Sequence, residues 1–444
     1  MSILGVGFGL AGAIGATIGA GILRTPGLVA AQLPNPLWLM GAWVLGGLLA
    51  LLGALCVSEL ATSLPRAGGW CVFAGAAFGR QAGWLVGWTD WLAHCIGLAW
   101  EATTVGEVAS DLLPAHGSPP EVTAKVLALL SLAVFVGLQL LGLRVASASQ
   151  DLLSLVKTVV FLGLVAACFV LPLPAGAAST MGPSSPPWPG ATVPWPELIW
   201  PSVLALQAVI TTYDGWVSPV YFAEEFSDPA RDLPRSLIGG VGLVLALYLL
   251  INAALLHVLP LEDLARSPLP AAEAALRLMG PLGGRLITAV ALLALLGLIN
   301  TVVMAAARIL YGLGREGLFP PWVATVNGGG TPSAAVLLTG GMGALLVLGG
   351  SFQRLLSLGA VLYVCLPLTG VAALFWLRWR QPELPRPFRA WGYPLTPLLV
   401  AAVSLAFLGG ELGTHPGDCL LAFALVGSGI PLLWLRPQAN AAES

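Results

Sequence analysis

The sequence predicts an all-α polytopic membrane protein with twelve transmembrane helices, and three observations carry that expectation. Of its 444 residues, 57% are hydrophobic and only 9% are charged, whereas an average soluble domain carries about 25% charged residues. The mean hydropathy is +0.89. Twelve stretches are long enough to cross a bilayer, for which about 20 largely apolar residues suffice.

These stretches run roughly over 3–31, 37–62, 83–113, 123–142, 150–172, 198–222, 236–259, 281–312, 333–350, 354–377, 393–411 and 417–435. Backbone groups in hydrocarbon must be paired internally, so runs of this length point to helices; barrel strands need only about 10 alternating residues. The first run is too long for a signal-peptide core and follows no basic residue, so it is expected to remain as a helix. The Pro-rich stretch 173–197 lacks Lys and Arg and is expected as a semi-rigid extracellular loop. Residues 260–280 are expected to form a short external helix with turns. No hydrophilic stretch is long enough for a soluble domain, so 1–444 is taken as one membrane domain.

Charge sets the expected orientation. Arg66, Arg80, Arg144, Arg231, Arg235, Arg308, Arg315, Arg378, Arg380, Arg386, Arg389 and Arg436 fall on one side, against Lys125, Arg266, Arg277, Arg285 and Arg354 on the other. The excess places both termini in the cytoplasm. A net charge of −2 without a basic stripe excludes nucleic acid as a partner. Cys56, Cys71, Cys95, Cys168, Cys365 and Cys419 lack metal-ligand spacing and a disulfide framework, so they are expected as small packing residues. No metal or cofactor is expected.

Two stretches are interrupted. The first contains Gly15, Gly19 and Gly21 within a short span, followed by Pro26 and Gly27. Glycine costs about 1 kcal/mol and proline about 3 in a helix interior. Such a cluster at mid-depth means either close helix packing or a break that lines a cavity. The sixth run carries Thr211, Thr212, Tyr213, Asp214, Gly215 and Pro219 near its middle. Paired interruptions five spans apart point to a transporter of two inverted five-helix repeats, 3–172 and 198–377, with 393–435 peripheral. Half-helix N-termini suit a substrate carboxylate, and unwound carbonyls suit an ammonium or a cation. A zwitterionic amino acid presents both charges.

Here the residues resemble a known family. Gly15 through Ile22, Pro65 through Gly69, and Gly79-Arg80 through Trp91 carry the likeness in the first half. Tyr213 through Trp216, Glu224-Glu225, Asp228-Pro229, Leu233 through Arg235, Ala307 through Tyr311, Arg315 through Pro320, and Thr331-Pro332 follow in order. The chain resembles the amino acid–polyamine–organocation superfamily, in particular bacterial relatives of the L-type amino acid transporters. That resemblance implies a LeuT-like 5+5 inverted repeat with discontinuous helices 1 and 6. It implies that N–H groups around Gly19, Ala20 and Gly21, next to Ile18, hold the carboxylate. Carbonyls near Thr17, Thr211, Thr212 and Asp214 would meet the ammonium. A bulky side chain at Ala20 should then obstruct the site. Many members carry an aromatic gate where this sequence has Thr211, which leaves Tyr213 or Trp216 as substitutes.

Charged residues inside the spans add candidates. Lys157 stands about 10 Å into the fifth run at 1.5 Å per residue. It either snorkels to the interface or lies against the broken carbonyls of the first run. By the resemblance, that is where sodium-coupled relatives hold a cation, so sodium-independent transport is expected. Asp90, His94, Gly97 and Glu101 share one stripe of the third run, as either a proton relay or a structural network, with Asn300 a further candidate. Asp214 either caps a half-helix or faces substrate. Glu224 and Glu225 are expected to form a cytoplasmic ion-pair latch beside Arg231 and Arg235. Arg24 either faces the outer vestibule or pairs with an acid, and His257 is expected at the interface.

The functional expectation is secondary active transport of an amino acid, neutral because the pocket is built from small residues and Thr with no obvious second anionic subsite. The site lies in the cytoplasmic membrane, and coupling is by exchange of a counter-substrate or by proton symport. The alternatives are a cationic amino acid or polyamine transporter, or a transport-inactive sensor on the same scaffold. An enzyme is not expected, since no catalytic constellation shares a membrane face. No obligatory protein partner is implied.

Overall fold

The computed structural model describes residues 5–33, 35–112, 119–172 and 195–434. Among these every regular element is a helix, and there are no strands. Most of the loop expected at 173–197, and Arg436, lie outside the described residues, as does the side chain of Ala20.

The first apolar run forms α1 (Val6–Thr17) and α2 (Ala20–Gln32), bent by 48° at the intervening residues. Then come α3 (Pro36–Ser63), α4 (Trp70–Phe78), α5 (Arg80–Leu112), α6 (Pro120–Leu140) and α7 (Leu143–Val170). The sixth run forms α8 (Trp195–Tyr213), a turn, and a 3-10 helix over Ser218–Glu225. Next are α9 (Pro229–Val258), α10 (Leu261–Arg266), α11 (Pro270–Arg315), α12 (Ser333–Gly349) and α13 (Phe352–Arg380). The chain closes with α14 (Leu395–Thr414), α15 (Pro416–Gly427) and α16 (Gly429–Trp434).

Helix starts follow local chemistry. Asn35 caps α3 by accepting from the Trp38 N–H at 3.0 Å, and Asp228 caps α9 through the Arg231 N–H at 3.3 Å. Pro36, Pro120, Pro229 and Pro270 occupy first helical positions, where the missing N–H has no partner to lose. Gly280, with φ of 71°, kinks α11 just before Pro281. The leading part of α11 and α10 therefore make up the region expected as an external helix with turns.

Seven of these helices are long and apolar enough to cross a membrane, or eight if α1 and α2 form one span. The 33-residue α5 is not among them; its acids and histidine dilute its apolarity. One element was missed from sequence. Residues 63–82 read as a connection, yet α4 forms there with Trp70 through Ala74 and Ala77 buried. It packs on α5 and α13, and that tertiary cover makes a nine-residue helix stable.

Candidate functional site

The break between α1 and α2 exposes backbone on both sides. Ile18 and Gly19 are extended, with φ, ψ of −79°, 94° and −135°, −146°. The last carbonyls of α1 and the first N–H groups of α2, at Ala20 and Gly21, lose their intrahelical partners by geometry.

Side chains from two helices meet the freed carbonyls. Lys157 of α7 is 1% exposed, and its ammonium donates to the carbonyls of Gly15 at 2.7 Å and Ile18 at 3.0 Å. The Tyr248 hydroxyl of α9 lies 2.8 Å from the Thr17 carbonyl and 3.2 Å from that of Thr212. It ties the two interruptions together. Gly215 follows Asp214 in the second one, with φ of 106°, and a Cβ there would lie 2.5 Å from the Ala16 carbonyl oxygen. Only glycine satisfies both that conformation and that approach.

Above the break, α2 and α8 touch. The hydroxyls of Thr25 and Thr212 are 2.7 Å apart. A Cβ on Gly21 would lie 2.7 Å from Cγ2 of Thr212. Beside these contacts is a cavity of about 830 Å³, lined by Thr17, Gly19, Gly21, Thr211, Thr212 and Asp214 among others. That volume falls within the range of small-molecule sites. Its walls also include His94, Gly97, Glu101, Thr301 and Tyr363, and its mouth reaches Ser267, Pro268, Glu411 and His415.

The candidate network on α5 separates into parts. Asp90 is fully buried and receives the Tyr221 hydroxyl at 3.0 Å. His94 Nδ1 donates to the Asp90 carbonyl at 2.9 Å and lies 3.2 Å from its Oδ1. Glu101 joins neither contact. Asn300 is elsewhere: its amide bonds Gln139 at 2.7 Å, Gln150 at 3.1 Å and the Ala146 carbonyl at 3.2 Å. It knots α6, α7 and α11 together and does not line the cavity, whereas its neighbour Thr301 does.

Other expectations change in detail. Tyr213 packs against Trp43 and Tyr248, and its hydroxyl donates to the Trp43 carbonyl at 3.1 Å. Its hydroxyl is thereby committed to α3, while both Tyr213 and Trp216 line the cavity. Arg24 lines the cavity and also pairs with Glu107 at 3.7 Å. Glu224 and Glu225 pair with Arg315 and Arg308 of α11, at 3.5 and 3.1 Å, and not with Arg231 or Arg235. Arg231 instead reaches Asp228 at 3.7 Å. Beyond the sixth span, burial pushes the Glu225 carboxyl up, and Arg308 opposes that shift. The ring of His257 stacks near Phe169, with centroids 5.3 Å apart. All six cysteines are free thiols.

Sequence reasoning also missed Glu59. This 1% exposed carboxylate of α3 holds Arg378 through two hydrogen bonds, the Nε one at 2.8 Å, and receives the Ala390 N–H at 2.7 Å. The signal was a lone acid in an apolar run.

A model of the family described as amino acid permease matches residues 9–425. The chain belongs to the amino acid permease family. The permease is also similar to the serine/threonine exchanger SteT of Bacillus subtilis (strain 168), at 26% identity over 97% of this chain and 96% of the relative. It is 27% identical to the human Asc-type amino acid transporter 1, over 95% of this chain and 80% of that protein. The human large neutral amino acids transporter small subunit 2 is 26% identical, over 95% and 78%. The permease is accordingly an amino acid transporter and not an enzyme.

Proposed function

We propose that the permease moves a neutral amino acid across the cytoplasmic membrane by alternating access, without sodium. In this reading twelve spans cross the bilayer with both termini inside. The α1–α2 pair counts as the first span, and α8 with the residues that follow it up to 222 as the sixth. Residues 3–172 and 198–377 form inverted repeats, and 393–435 is peripheral. The N–H groups at Gly19, Ala20 and Gly21 hold the carboxylate. The ammonium meets carbonyls at the two interruptions, including those of Ala16 and Thr211.

The observation that carries this reading is the Lys157 ammonium on the Gly15 and Ile18 carbonyls. A fixed organic cation satisfies the broken backbone, so no inorganic cation is required there. With the termini inside, the cavity mouth at Ser267 and Glu411 faces outward, and the ion pairs of Glu224, Glu225 and Arg66 close the inner end. That the bacterial relative is a serine/threonine exchanger favours exchange over proton symport.

One observation favours a second reading, transport of a cationic amino acid or a polyamine: Asp214 and Glu101 both line the cavity. Reconstituted protein loaded with unlabelled amino acids and given radiolabelled ones outside decides between them. Counterflow of neutral amino acids that persists when sodium is replaced by choline is expected. Sodium-dependent uptake, preference for lysine or putrescine, or binding without flux would overturn the proposal.

A further inference from the structure

Glu101 is the one cavity carboxylate on α5 whose surroundings account for none of its chemistry. It is 4% exposed and lines the central cavity. Among the described residues its carboxyl makes no hydrogen bond or close ion pair, and its Oε2 is sealed from solvent without a partner. Lys157 and Arg24 are the cations in electrostatic range. Lys157 is turned to the Gly15 and Ile18 carbonyls, and Arg24 is paired with Glu107.

A buried carboxyl oxygen without a donor is unfavourable unless something enters and supplies one. Lys157 and Arg24 are both held by other partners, so the Glu101 carboxyl is left to take a hydrogen-bond donor from the cavity it lines. Four residues earlier, Gly97 presents no side chain, and the Tyr363 hydroxyl fills that space. The wall around Glu101 therefore offers oxygen atoms to a ligand, in a cavity otherwise lined by small and apolar groups such as Leu298, Val302 and Ala305.

We propose that Glu101 is the specificity-determining residue of the permease and accepts a hydrogen bond from a hydroxyl or amide on the side chain of the transported amino acid. This rests on the reading of the cavity as a neutral amino acid site. A site built to accept such a bond rejects the analogue that lacks it, because its own polar atom is then left buried and unpaired. Threonine and valine test this directly, since they are nearly the same shape and differ by hydroxyl against methyl.

The experiment is competition by serine, alanine, threonine, valine, asparagine and lysine against radiolabelled substrate in proteoliposomes, with apparent Kd values from thermal shift of the same purified protein. The wild type should prefer threonine over valine, and serine over alanine, by tenfold or more. Glu101→Leu should collapse both ratios towards one, and Glu101→Gln, which keeps a carbonyl acceptor, should retain part of them. If Glu101→Leu does not fold, the wild-type threonine/valine ratio still decides. A ratio near one overturns the inference. So does preference for lysine, or a Glu101→Gln protein that loses only pH-gradient-driven uptake with its ratios unchanged. If no amino acid competes or is carried, the transport reading itself fails; flux without discrimination defeats only the assignment of Glu101.

Discussion

The ammonium of Lys157 lies 2.7 Å from the carbonyl oxygen of Gly15, joining α7 to the end of α1 where that helix stops. Replacing Lys157 with methionine leaves two buried carbonyls without a donor, at about 1–3 kcal/mol each. Initial uptake in proteoliposomes should fall by roughly tenfold or more, since about 1.4 kcal/mol corresponds to one decade. Lys157→Arg should also transport poorly, because a planar guanidinium does not replace a point ammonium between two carbonyls. Full activity in either variant would remove the role assigned to this contact.

Gly21 and Thr212 define the closeness of α2 and α8. Gly21→Ala places a methyl 2.7 Å from Cγ2 of Thr212 and should wedge the two helices apart, with substrate binding largely lost. Thr212→Ala removes the nearest atoms, so the double variant should recover part of the binding lost by Gly21→Ala alone. The coupling, read from thermal shifts with substrate, should be at least about 0.5 kcal/mol, as for residues in contact. Strict additivity would contradict the contact.

Tyr248→Phe removes the hydroxyl shared by the Thr17 and Thr212 carbonyls. A hydrogen bond of this kind is worth about 1 kcal/mol. KM should therefore rise roughly fivefold, as the two interruptions lose their common anchor. An unchanged KM would show that packing alone holds them in register.

At the other end of the bundle, Arg308 is the counter-charge of Glu225. In Arg308→Gln, burial acts on the Glu225 carboxyl with its main opponent removed, so its pKa should rise further above the ordinary 4.5. An acid whose folded pKa is raised binds its proton more tightly when folded, so stability falls as pH rises through that window. The thermal midpoint of the variant should accordingly recover as pH is lowered from neutral towards 4.5. A midpoint that drops steadily with acidification would argue against this linkage.

Glu59→Gln should be the most destabilising of these changes. It strips the carboxylate from Arg378, Arg386 and the Ala390 N–H. Breaking a buried pair from one side costs about 3–5 kcal/mol. Yield of monodisperse protein and its thermal midpoint report the effect. A near-native midpoint would mean that the 381–394 connection is held mainly by Arg386 and its backbone carbonyl partners.

Much of the fold was legible because lipid simplifies the rules. Composition alone placed the chain in a membrane, and the glycine cluster at 15–21 marked the first break, because glycine is among the poorest helix formers. Asp214 and Gly215 marked the second. The short helix α4 was invisible, since nine residues without caps depend on what covers them. Tyr248 and Glu59 were passed over as single polar residues in apolar runs. Their partners, at Thr17, Thr212, Arg378 and Ala390, lie between 36 and 331 residues away.

What the amino-acid order determined by itself is local: which segments are apolar, where helix propensity fails, and which charges are stranded at depth. Each follows from the cost of exposing backbone or charge to hydrocarbon over a few consecutive residues. Which carbonyl Lys157 reaches, that Glu224 and Glu225 choose Arg315 and Arg308, that Asn300 leaves the cavity for Gln139, and that Glu101 is left without a donor were decided only in three dimensions. Those outcomes depend on distances of a few ångströms between helices that are remote in sequence, and no periodicity within one helix encodes them.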